Sequence, residues 1–194
     1  MTLVGLMVGG RATRFGGVAK GMLAAPDTGE PLALRLARIC REALGDAEVV
    51  LVGSTPAYGA LALPFLDDSP PGVGPLGGLS ALLAEAQRRR SDAIAVAADL
   101  PYVTAPLVTK LHSYESDAAA IAPRPGGVWQ PLFARYSPGE CIPVLRAALD
   151  ARRFAARAVL EGLGPRATEL PLDAAEAAQL DDWDEPGDMT RKRG

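Results

Sequence analysis

Short β-rich apolar runs alternate with helical periods along the first half of the chain. Three such runs are predicted as buried strands: residues 3–8, 48–52 and 93–98. Amphipathic spacing predicts three helices: residues 31–44, 76–90 and 104–112. Strand, helix, strand in succession is the pattern of a parallel sheet wrapped by helices, so we predict a Rossmann-like three-layer α/β/α fold.

The second half predicts an antiparallel excursion at the edge of this sheet. The turn sequence Arg124-Pro125-Gly126-Gly127 separates two β-rich segments. The predicted elements are strands over 118–123 and 129–136, helices over 139–149 and 153–163, a strand near 167–172 and a short helix after Pro186. No Gly-, Ser- or charge-rich linker divides the chain, so we predict one domain over residues 1–194.

Composition excludes several classes of function. The chain has 20 basic and 23 acidic residues, which does not fit a nucleic-acid partner. No apolar stretch reaches the ~18 residues of a membrane span, so we expect no membrane partner and a cytoplasmic protein. Cys40 and Cys141 lack metal-ligand spacing and are predicted to be buried thiols. His112, the single histidine, is predicted on an ordinary helix, which excludes a hydrolytic triad.

The segment after the first predicted strand is rich in glycine and cations. It reads Gly9-Gly10-Arg11-Ala12-Thr13-Arg14-Phe15-Gly16-Gly17-Val18-Ala19-Lys20. Ligands bind beyond the carboxyl ends of the strands in open α/β sheets. The glycines let backbone N–H groups approach an anion, and Arg14 and Lys20 suit a polyphosphate. The alternative is a flexible surface turn, but a connection this long is usually functional. Neither the Walker motif nor the dinucleotide fingerprint fits this loop.

Two later strand ends carry an aspartate. Asp68 precedes the Pro/Gly-rich segment 70–78, and its carboxylate can accept hydrogen bonds from a purine or ribose edge. The alternative there is an ordinary Pro/Gly connection with solvated acids. Asp99 directly follows the strand over 93–98 and can hold Mg²⁺ together with substrate phosphate oxygens. The alternative for Asp99, a helix cap, fails because Thr104 is better placed for that role.

The spacing Gly9-Gly10-x3-Arg14-x-Gly16-x3-Lys20 resembles the signature of the nucleotidyltransferase superfamily, and the whole segment is most similar to the molybdenum cofactor guanylyltransferases. Three further segments occur in the family's order: Asp68 with Gly74-Pro75-Leu76-x-Gly78, Asp99-Leu100-Pro101, and Asp182-Trp183-Asp184-Glu185-Pro186. The resemblance covers residues 7–188 and implies the nucleotidyltransferase variant of the predicted fold.

The resemblance also implies the roles of the site residues. Arg14, Lys20 and Asp99 would be catalytic, and Asp99 with Asp184 (or Asp182 as the second ligand) would hold Mg²⁺. The GTP-binding set would comprise Met7, Val8, Gly9, Gly10, Lys20, Gly53, Asp68 and Asp99. Met7-Val8 replaces the family's usual Leu-Ala, Glu185 replaces threonine, and Gly53 stands where asparagine is frequent.

The implied reaction moves GMP from GTP to the phosphate of molybdopterin, giving molybdopterin guanine dinucleotide and pyrophosphate. One alternative is a CTP-dependent cytidylyltransferase, or a transferase for another phosphorylated acceptor. A second is a nucleotide-binding module without turnover. Trp129-Gln130-Pro131-Leu132 and Arg152-Arg153 resemble acceptor-site segments, but we interpret them as an edge strand with Trp129 in the core and as exposed arginines. We expect a monomer or weak oligomer with transient contacts to molybdenum-insertion or molybdoenzyme-maturation proteins.

Overall fold

A computed structural model describes residues 2–9, 18–53, 56–183 and 187–188. The strands in this part of the chain are β1 (Thr2–Met7), β2 (Glu48–Val52), β3 (Phe65–Leu66), β4 (Asp92–Ala97), β5 (Ala120–Ala122), β6 (Phe133–Tyr136) and β7 (Ala167–Glu169). The α-helices are α1 (Leu32–Leu44), α2 (Pro75–Arg89), α3 (Ala105–Ser113), α4 (Pro138–Asp150), α5 (Arg157–Leu163) and α6 (Ala174–Ala177). None of the helices described is long and apolar enough to cross a membrane.

The strands form one sheet in the order β3-β2-β1-β4-β6-β5-β7. β1 lies between β2 and β4 and is parallel to both, with Leu6 opposite Leu51 on one side and Val96 on the other. β6 runs antiparallel to β4 and β5, and β7 is parallel to β5. The predicted antiparallel excursion is therefore confirmed, with β7 added beyond it as the last strand.

Helices cover both faces of the sheet, which confirms the three-layer α/β/α fold. Side chains alternate between the two faces of a strand, so each strand contributes to two cores. Leu3 and Met7 of β1 belong to the core beneath α2, α4 and α5. Val4 and Leu6 belong to the core beneath α1 and α3.

The predicted helix over 153–163 is too long at its start, because α5 begins at Arg157. Arg152 takes a left-handed conformation with φ of 56°. The N–H groups of Arg152 and Arg153 donate back to carbonyls at the end of α4, which places both residues in the turn between the helices. The predicted strand over 129–136 is likewise shorter, starting at Phe133.

Two side chains behave differently from their predictions. Thr104 occupies the N-cap position of α3 but makes no capping hydrogen bond, and its hydroxyl instead donates to Gln179 Oε1 at 2.8 Å. Trp129 is half-buried rather than in the core, and the Arg124 guanidinium lies 5.0 Å from its ring centroid. The contacts of Thr104 with Gln179 and of Trp129 with Arg124 form in the folded chain, and neither could be assigned from the sequence. The short helix expected after Pro186 falls mostly outside the described residues.

Cys40 and Cys141 are buried, unpaired thiols, as predicted. Burial raises the pKa of each thiol to about 12. Because the thiolate is the reactive form, we expect neither cysteine to react with Ellman's reagent at pH 8 in the native protein. Both should react once a denaturant unfolds the chain. Reaction of one thiol per chain under native conditions would contradict the burial of one of the two cysteines.

Candidate active site

Four parallel strands end at the same edge of the sheet, and the predicted site residues follow these ends. β1, β2, β3 and β4 are paired side by side in parallel, so their carboxyl ends lie next to one another. The loop after β4 is tied to β1 by a 3.1 Å hydrogen bond from Ala98 N to Met7 O. The loop after β2 is tied to β3 by a 2.9 Å bond from Gly53 N to Leu66 O.

Lys20 and Asp99 meet at this edge. Lys20 starts a single turn of 3₁₀-helix, Lys20–Met22, and Asp99 follows the end of β4. Their Nζ and Oδ2 atoms are 2.8 Å apart, and the two side chains are 27% and 22% exposed. The pair is therefore held by the protein yet open to a ligand. Its sequence separation of 79 residues shows that the fold, rather than a local motif, makes the contact.

Tyr58 supports the backbone next to Lys20, a contact with no counterpart in the sequence motifs. Its side chain is 1% exposed, and its hydroxyl accepts a 3.1 Å hydrogen bond from Gly21 N. A Cβ at Gly21 would lie 2.9 Å from Tyr58 Cε1 and 3.3 Å from Ala98 Cβ, so glycine permits this packing. Burial raises the pKa of Tyr58, the Gly21 hydrogen bond opposes the shift, and the charge of Asp99 adds to it.

The second group of predicted residues gathers around Gly53. A Cβ at Gly53 would lie 2.9 Å from Gly9 N and 3.7 Å from Asp68 Oδ1. A Cβ at Gly78, in the first turn of α2, would lie 2.8 Å from Met7 Cε and 3.1 Å from the same Asp68 oxygen. Met7, Gly9, Gly53 and Asp68 are thus neighbours, as expected for one pocket.

Val8 takes part in this region through its backbone. Its N–H donates to Val52 O at 2.9 Å. Its side chain is 6% exposed and packs in the core beneath α1 and α3, away from the Met7 side of the sheet. Met7 and Val8 therefore have different surroundings, although both were predicted to line the nucleotide.

Burial, with a smaller contribution from neighbouring Asp67, raises the pKa of Asp68. The side chain is partly buried, and neither cause is a hydrogen bond that would stabilise the carboxylate. A donor pair on a ligand would supply that stabilisation, since hydrogen bonds to the charged form lower a carboxyl pKa. The environment of Asp68 therefore suits recognition of an N–H-bearing ligand.

Substituting alanine at Gly53 should destabilise the protein. The φ of Gly53 is +109°, a conformation that side chains rarely adopt, and the added Cβ would meet the Gly9 backbone. We expect the free energy of unfolding to fall by about 1–3 kcal/mol and the KM for nucleotide to rise. Denaturant titration and steady-state kinetics measure these effects. Gly139→Ala is the matched control, because Gly139 lies in α4 with open space around it. Equal stability of the two variants would contradict this role of Gly53.

Several predicted site residues lie outside the described part of the chain, namely Gly10, Arg14, Gly16, Gly17 and Asp184. Asp182 is described and has a polar interaction of its own. Trp183, which directly precedes Asp184, donates from its backbone N to Asp99 O at 3.1 Å. Trp183, within the segment that resembles the family's second metal site, is therefore hydrogen-bonded to the Asp99 loop.

The residues set aside in the sequence remain outside this constellation. His112 is exposed on α3, and Arg152 and Arg153 are exposed in the turn between α4 and α5. Arg153 pairs with Glu161 at 2.7 Å, an exposed contact of the next helix.

The described residues suit a magnesium ion that is completed by substrate. They contain no cluster of three or more His, Cys, Asp or Glu side chains that could hold a metal on their own. Asp99 offers a partly exposed carboxylate, of which Oδ2 contacts Lys20. Mg²⁺ in nucleotide enzymes is commonly bound through one or two carboxylates plus substrate phosphates, so this donor set fits.

Comparison with known proteins gives a consistent family. The family model described as "MobA-like NTP transferase domain" matches residues 4–168. A molybdenum cofactor guanylyltransferase of Pseudomonas fluorescens is 32% identical over 90% of this chain and 86% of its own length. One from Pseudomonas putida is 33% identical over 74% of this chain and 73% of its own length.

Solved structures share the fold. Molybdopterin-guanine dinucleotide biosynthesis protein A of Archaeoglobus fulgidus has a TM-score of 0.71 at 22% identity, covering 98% of this chain and 95% of its own. 2-C-methyl-D-erythritol 4-phosphate cytidylyltransferase of Thermus thermophilus has a TM-score of 0.62 at 15% identity, with coverages of 98% and 95%. At these identities, the likeness shows architecture alone. Because the family model spans most of the sheet and the paired Lys20 and Asp99, this chain belongs to the MobA-like NTP transferase family and is a nucleotidyltransferase.

Proposed function

We propose that this chain transfers the guanylyl group of GTP to the phosphate of molybdopterin, forming molybdopterin guanine dinucleotide and pyrophosphate. The observation that carries the proposal is the 2.8 Å contact between Lys20 and Asp99 at the carboxyl edge of the sheet. Relatives about one-third identical that bear the name molybdenum cofactor guanylyltransferase support the choice of substrates.

The reaction requires positioning and charge neutralisation more than proton transfer. An oxygen of the acceptor phosphate attacks the α-phosphorus of GTP, and the bond from that phosphorus to the α,β-bridging oxygen breaks. Pyrophosphate leaves with the bond's electron pair. Because the nucleophile is already an anion, no strong general base is needed, and His112 plays no part. Catalysis then rests on holding the reacting groups in line and stabilising the developing negative charge.

Lys20 supplies the positive charge for this step. Its Nζ is anchored by Asp99 and its side chain remains 27% exposed, so it can contact phosphate oxygens of a nucleotide bound at this edge. Arg14 would add a second cation, and the backbone N–H groups of Gly9 and Gly10 would cradle the phosphates. The Tyr58 hydroxyl accepts a hydrogen bond from Gly21 N and so holds the backbone next to Lys20.

Asp99 would hold Mg²⁺, with Asp184 (or Asp182) as the second carboxylate. When bound, the metal neutralises charge on the phosphate oxygens. The hydrogen bond from Ala98 N to Met7 O ties the backbone directly before Asp99 to the end of β1.

Asp68 would recognise the base. The Watson–Crick edge of guanine has two adjacent donors, N1–H and N2–H₂, which match the two oxygens of an ionised carboxylate. Cytosine offers one donor next to an acceptor, and that acceptor would face a carboxylate oxygen. Gly53 leaves room beside Asp68, because no side chain fills the space 3.7 Å from Oδ1.

Substituting Asp68 by asparagine should weaken this discrimination. The change removes charge-assisted hydrogen bonds worth about 1.5–3 kcal/mol, or roughly 10- to 150-fold in kcat/KM for GTP. Because the pKa of Asp68 is raised, lowering the pH should protonate it sooner than an exposed aspartate, so GTP affinity should fall in that range. The Asp68→Asn variant should not show this loss of GTP affinity at low pH. The binding constant measured across pH for both proteins tests the role, with Asp92→Asn, an exposed aspartate at the start of β4, as control. An unchanged pH profile would contradict it.

Pyrophosphate release with each of the four NTPs, Mg²⁺ and molybdopterin tests the proposed function. Pyrophosphate release with GTP, and not with the other three NTPs, supports the proposed function. Formation of the dinucleotide identifies the acceptor. Release with CTP instead would identify a cytidylyltransferase. Thermal stabilisation by nucleotide without pyrophosphate, at any acceptor concentration, would identify a binding module. We place the activity in the cytoplasm, in a monomer or weak oligomer that contacts cofactor-insertion or molybdoenzyme-maturation proteins transiently.

A further inference from the structure

Trp183 connects three parts of the chain near the candidate site. Its backbone N–H donates to Asp99 O at 3.1 Å, and its indole Nε1–H donates to the Tyr102 hydroxyl at 3.3 Å. The two rings meet edge to face, with centroids 6.3 Å apart and an interplanar angle of 88°. Trp183 is 2% exposed, although it lies beyond the helical turn Ala178–Leu180.

The buried ring of Trp183 packs on the segment that follows Lys20. Its small hydrophobic cluster contains Ala25 and Leu32, with Leu23 packed against it. Leu23 N donates to Lys20 O at 3.0 Å, and Leu32 N donates to Leu23 O at 3.0 Å. The indole therefore packs against the segment that follows the Lys20 turn, while the backbone N–H of Trp183 holds the loop that carries Asp99.

The segment leading to Trp183 is fastened independently of the site. We define residues 173–183 as the C-terminal strap. Its first turn has a capping box formed by Asp173 and Glu176, and Glu176 pairs with Lys110 at 2.6 Å. Gln179 Oε1 accepts hydrogen bonds from the backbone N and hydroxyl of Thr104. These contacts lie on α3 and its start, whereas Trp183, at the end of the strap, is hydrogen-bonded to Asp99.

We propose that Trp183 is a positioning residue for nucleotidyl transfer, which fixes the Asp99 backbone relative to the turn bearing Lys20. Asp99 is restrained on both sides: Ala98 N is bonded to Met7 O before it, and its own carbonyl is bonded to Trp183 N. Of these two backbone hydrogen bonds, the second comes from outside the sheet. Displacement of a catalytic group by about 1 Å can reduce turnover by roughly 10²-fold, so loss of this anchor should be felt in the metal-dependent part of binding and catalysis.

The inference rests on the proposed function and is tested on the full chain. Both Trp183→Ala and Trp183→Phe keep the backbone N–H; Trp183→Ala removes the buried indole that holds residue 183 in place, and Trp183→Phe keeps an aromatic ring there. Gln179→Ala is the matched control, since it loosens the same strap at Thr104, away from Asp99. The affinity for GTP is measured by calorimetry with and without Mg²⁺, alongside kcat and KM for pyrophosphate release.

For Trp183→Ala, we expect GTP binding without Mg²⁺ within about threefold of the parent, and a Mg²⁺ concentration for half-maximal effect raised about 10-fold or more. kcat should fall more than KM rises. Trp183→Phe should recover both values to within about threefold, and Gln179→Ala should leave both unchanged while lowering the melting temperature.

Equal loss of metal-free and metal-dependent binding would make Trp183 a purely structural residue and overturn the inference. So would unchanged Mg²⁺ dependence in a folded Trp183→Ala protein. Trp183→Leu is measured in parallel, and failure of both variants to fold would also overturn it. If the parent protein released no pyrophosphate from any NTP, the proposed function would fail, whereas the Mg²⁺ dependence of GTP binding would still decide the role of Trp183.

Discussion

Substituting Lys20 by alanine should lower kcat for pyrophosphate release by about 10²–10³, the effect of removing one preorganised group that stabilises transition-state charge. The structural reason is the position of Nζ, which is held 2.8 Å from Asp99 at the edge where the strands end. Removing it leaves the α,β-phosphates with one less cation as pyrophosphate departs. The measurement is steady-state release of pyrophosphate at saturating GTP, acceptor and Mg²⁺.

The fold should survive this change. The Lys20–Asp99 pair is partly exposed, and such ion pairs contribute about 0–1 kcal/mol to stability. In a chain of this length, that corresponds to a shift in melting temperature of at most roughly 4 °C. Lys110→Ala is the control, because Lys110 forms a 2.6 Å pair with Glu176 at similar exposure on α3. If Lys110→Ala and Lys20→Ala lowered kcat equally, the assignment of Lys20 would be wrong.

Substituting Asp99 by alanine should reduce kcat by a similar factor of about 10²–10³ while the protein stays folded. The physical reason is the loss of the carboxylate that is directed from the end of β4 toward Lys20. Asp99→Asn keeps the size and one oxygen but loses the charge, so its activity should recover in part at raised Mg²⁺ concentration. Kinetics as a function of Mg²⁺, with circular dichroism to verify folding, measure both effects.

Asp92→Asn provides the control for Asp99. Asp92 is exposed at the opposite end of the same strand, so its substitution alters the charge by the same amount without touching the candidate site. Full transferase activity of Asp99→Ala would remove Asp99 from the catalytic machinery and with it the proposed metal ligand.

The three buried strands and three helices predicted first along the chain agree with the structure to within one residue at each end. Glu48–Val52 is the predicted strand, and α1 ends at Leu44 before Gly45 as its sequence indicates. These segments have a continuous apolar run or a clear amphipathic period, and glycine stops them. Local preference and burial therefore point to the same structure.

In both halves, the structure was less predictable where contacts distant in sequence decide it. The two-residue strand β3 and the 3₁₀-helix Pro56–Leu61 have no periodicity to detect, and β3 forms because Leu51 and Val52 of β2 pair with it. The turn before α5 depends on backbone bonds to α4 and a left-handed Arg152. Neither the pairing of β3 with β2 nor the backbone hydrogen bonds of this turn can be predicted from local composition.

The candidate site divides in the same way. Lys20 and Asp99 could be chosen from the sequence because each lies in a segment that follows a predicted strand, where ligands of open α/β sheets bind. Asp68 could be chosen because it leads into the Pro/Gly-rich segment 70–78. Tyr58 and Trp183 could not be chosen. Tyr58 lies outside every motif, and Trp183 lies in the segment 182–186 at a position to which the resemblance gave no role. The hydrogen bonds of Tyr58 to Gly21 and of Trp183 to Asp99 depend on packing between segments far apart in the chain.

The alternating strands and helices of this sequence by themselves determined a parallel α/β sheet with a glycine- and cation-rich loop at its carboxyl edge. Backbone hydrogen-bonding and side-chain periodicity act locally, so the residues that carry them are sufficient. The tertiary structure alone decided that Lys20 meets Asp99, that Gly53 brings Gly9 beside Asp68, and that Trp183 joins the Lys20 turn to the Asp99 loop. Those contacts span tens of residues and form only when the sheet order places the loops side by side.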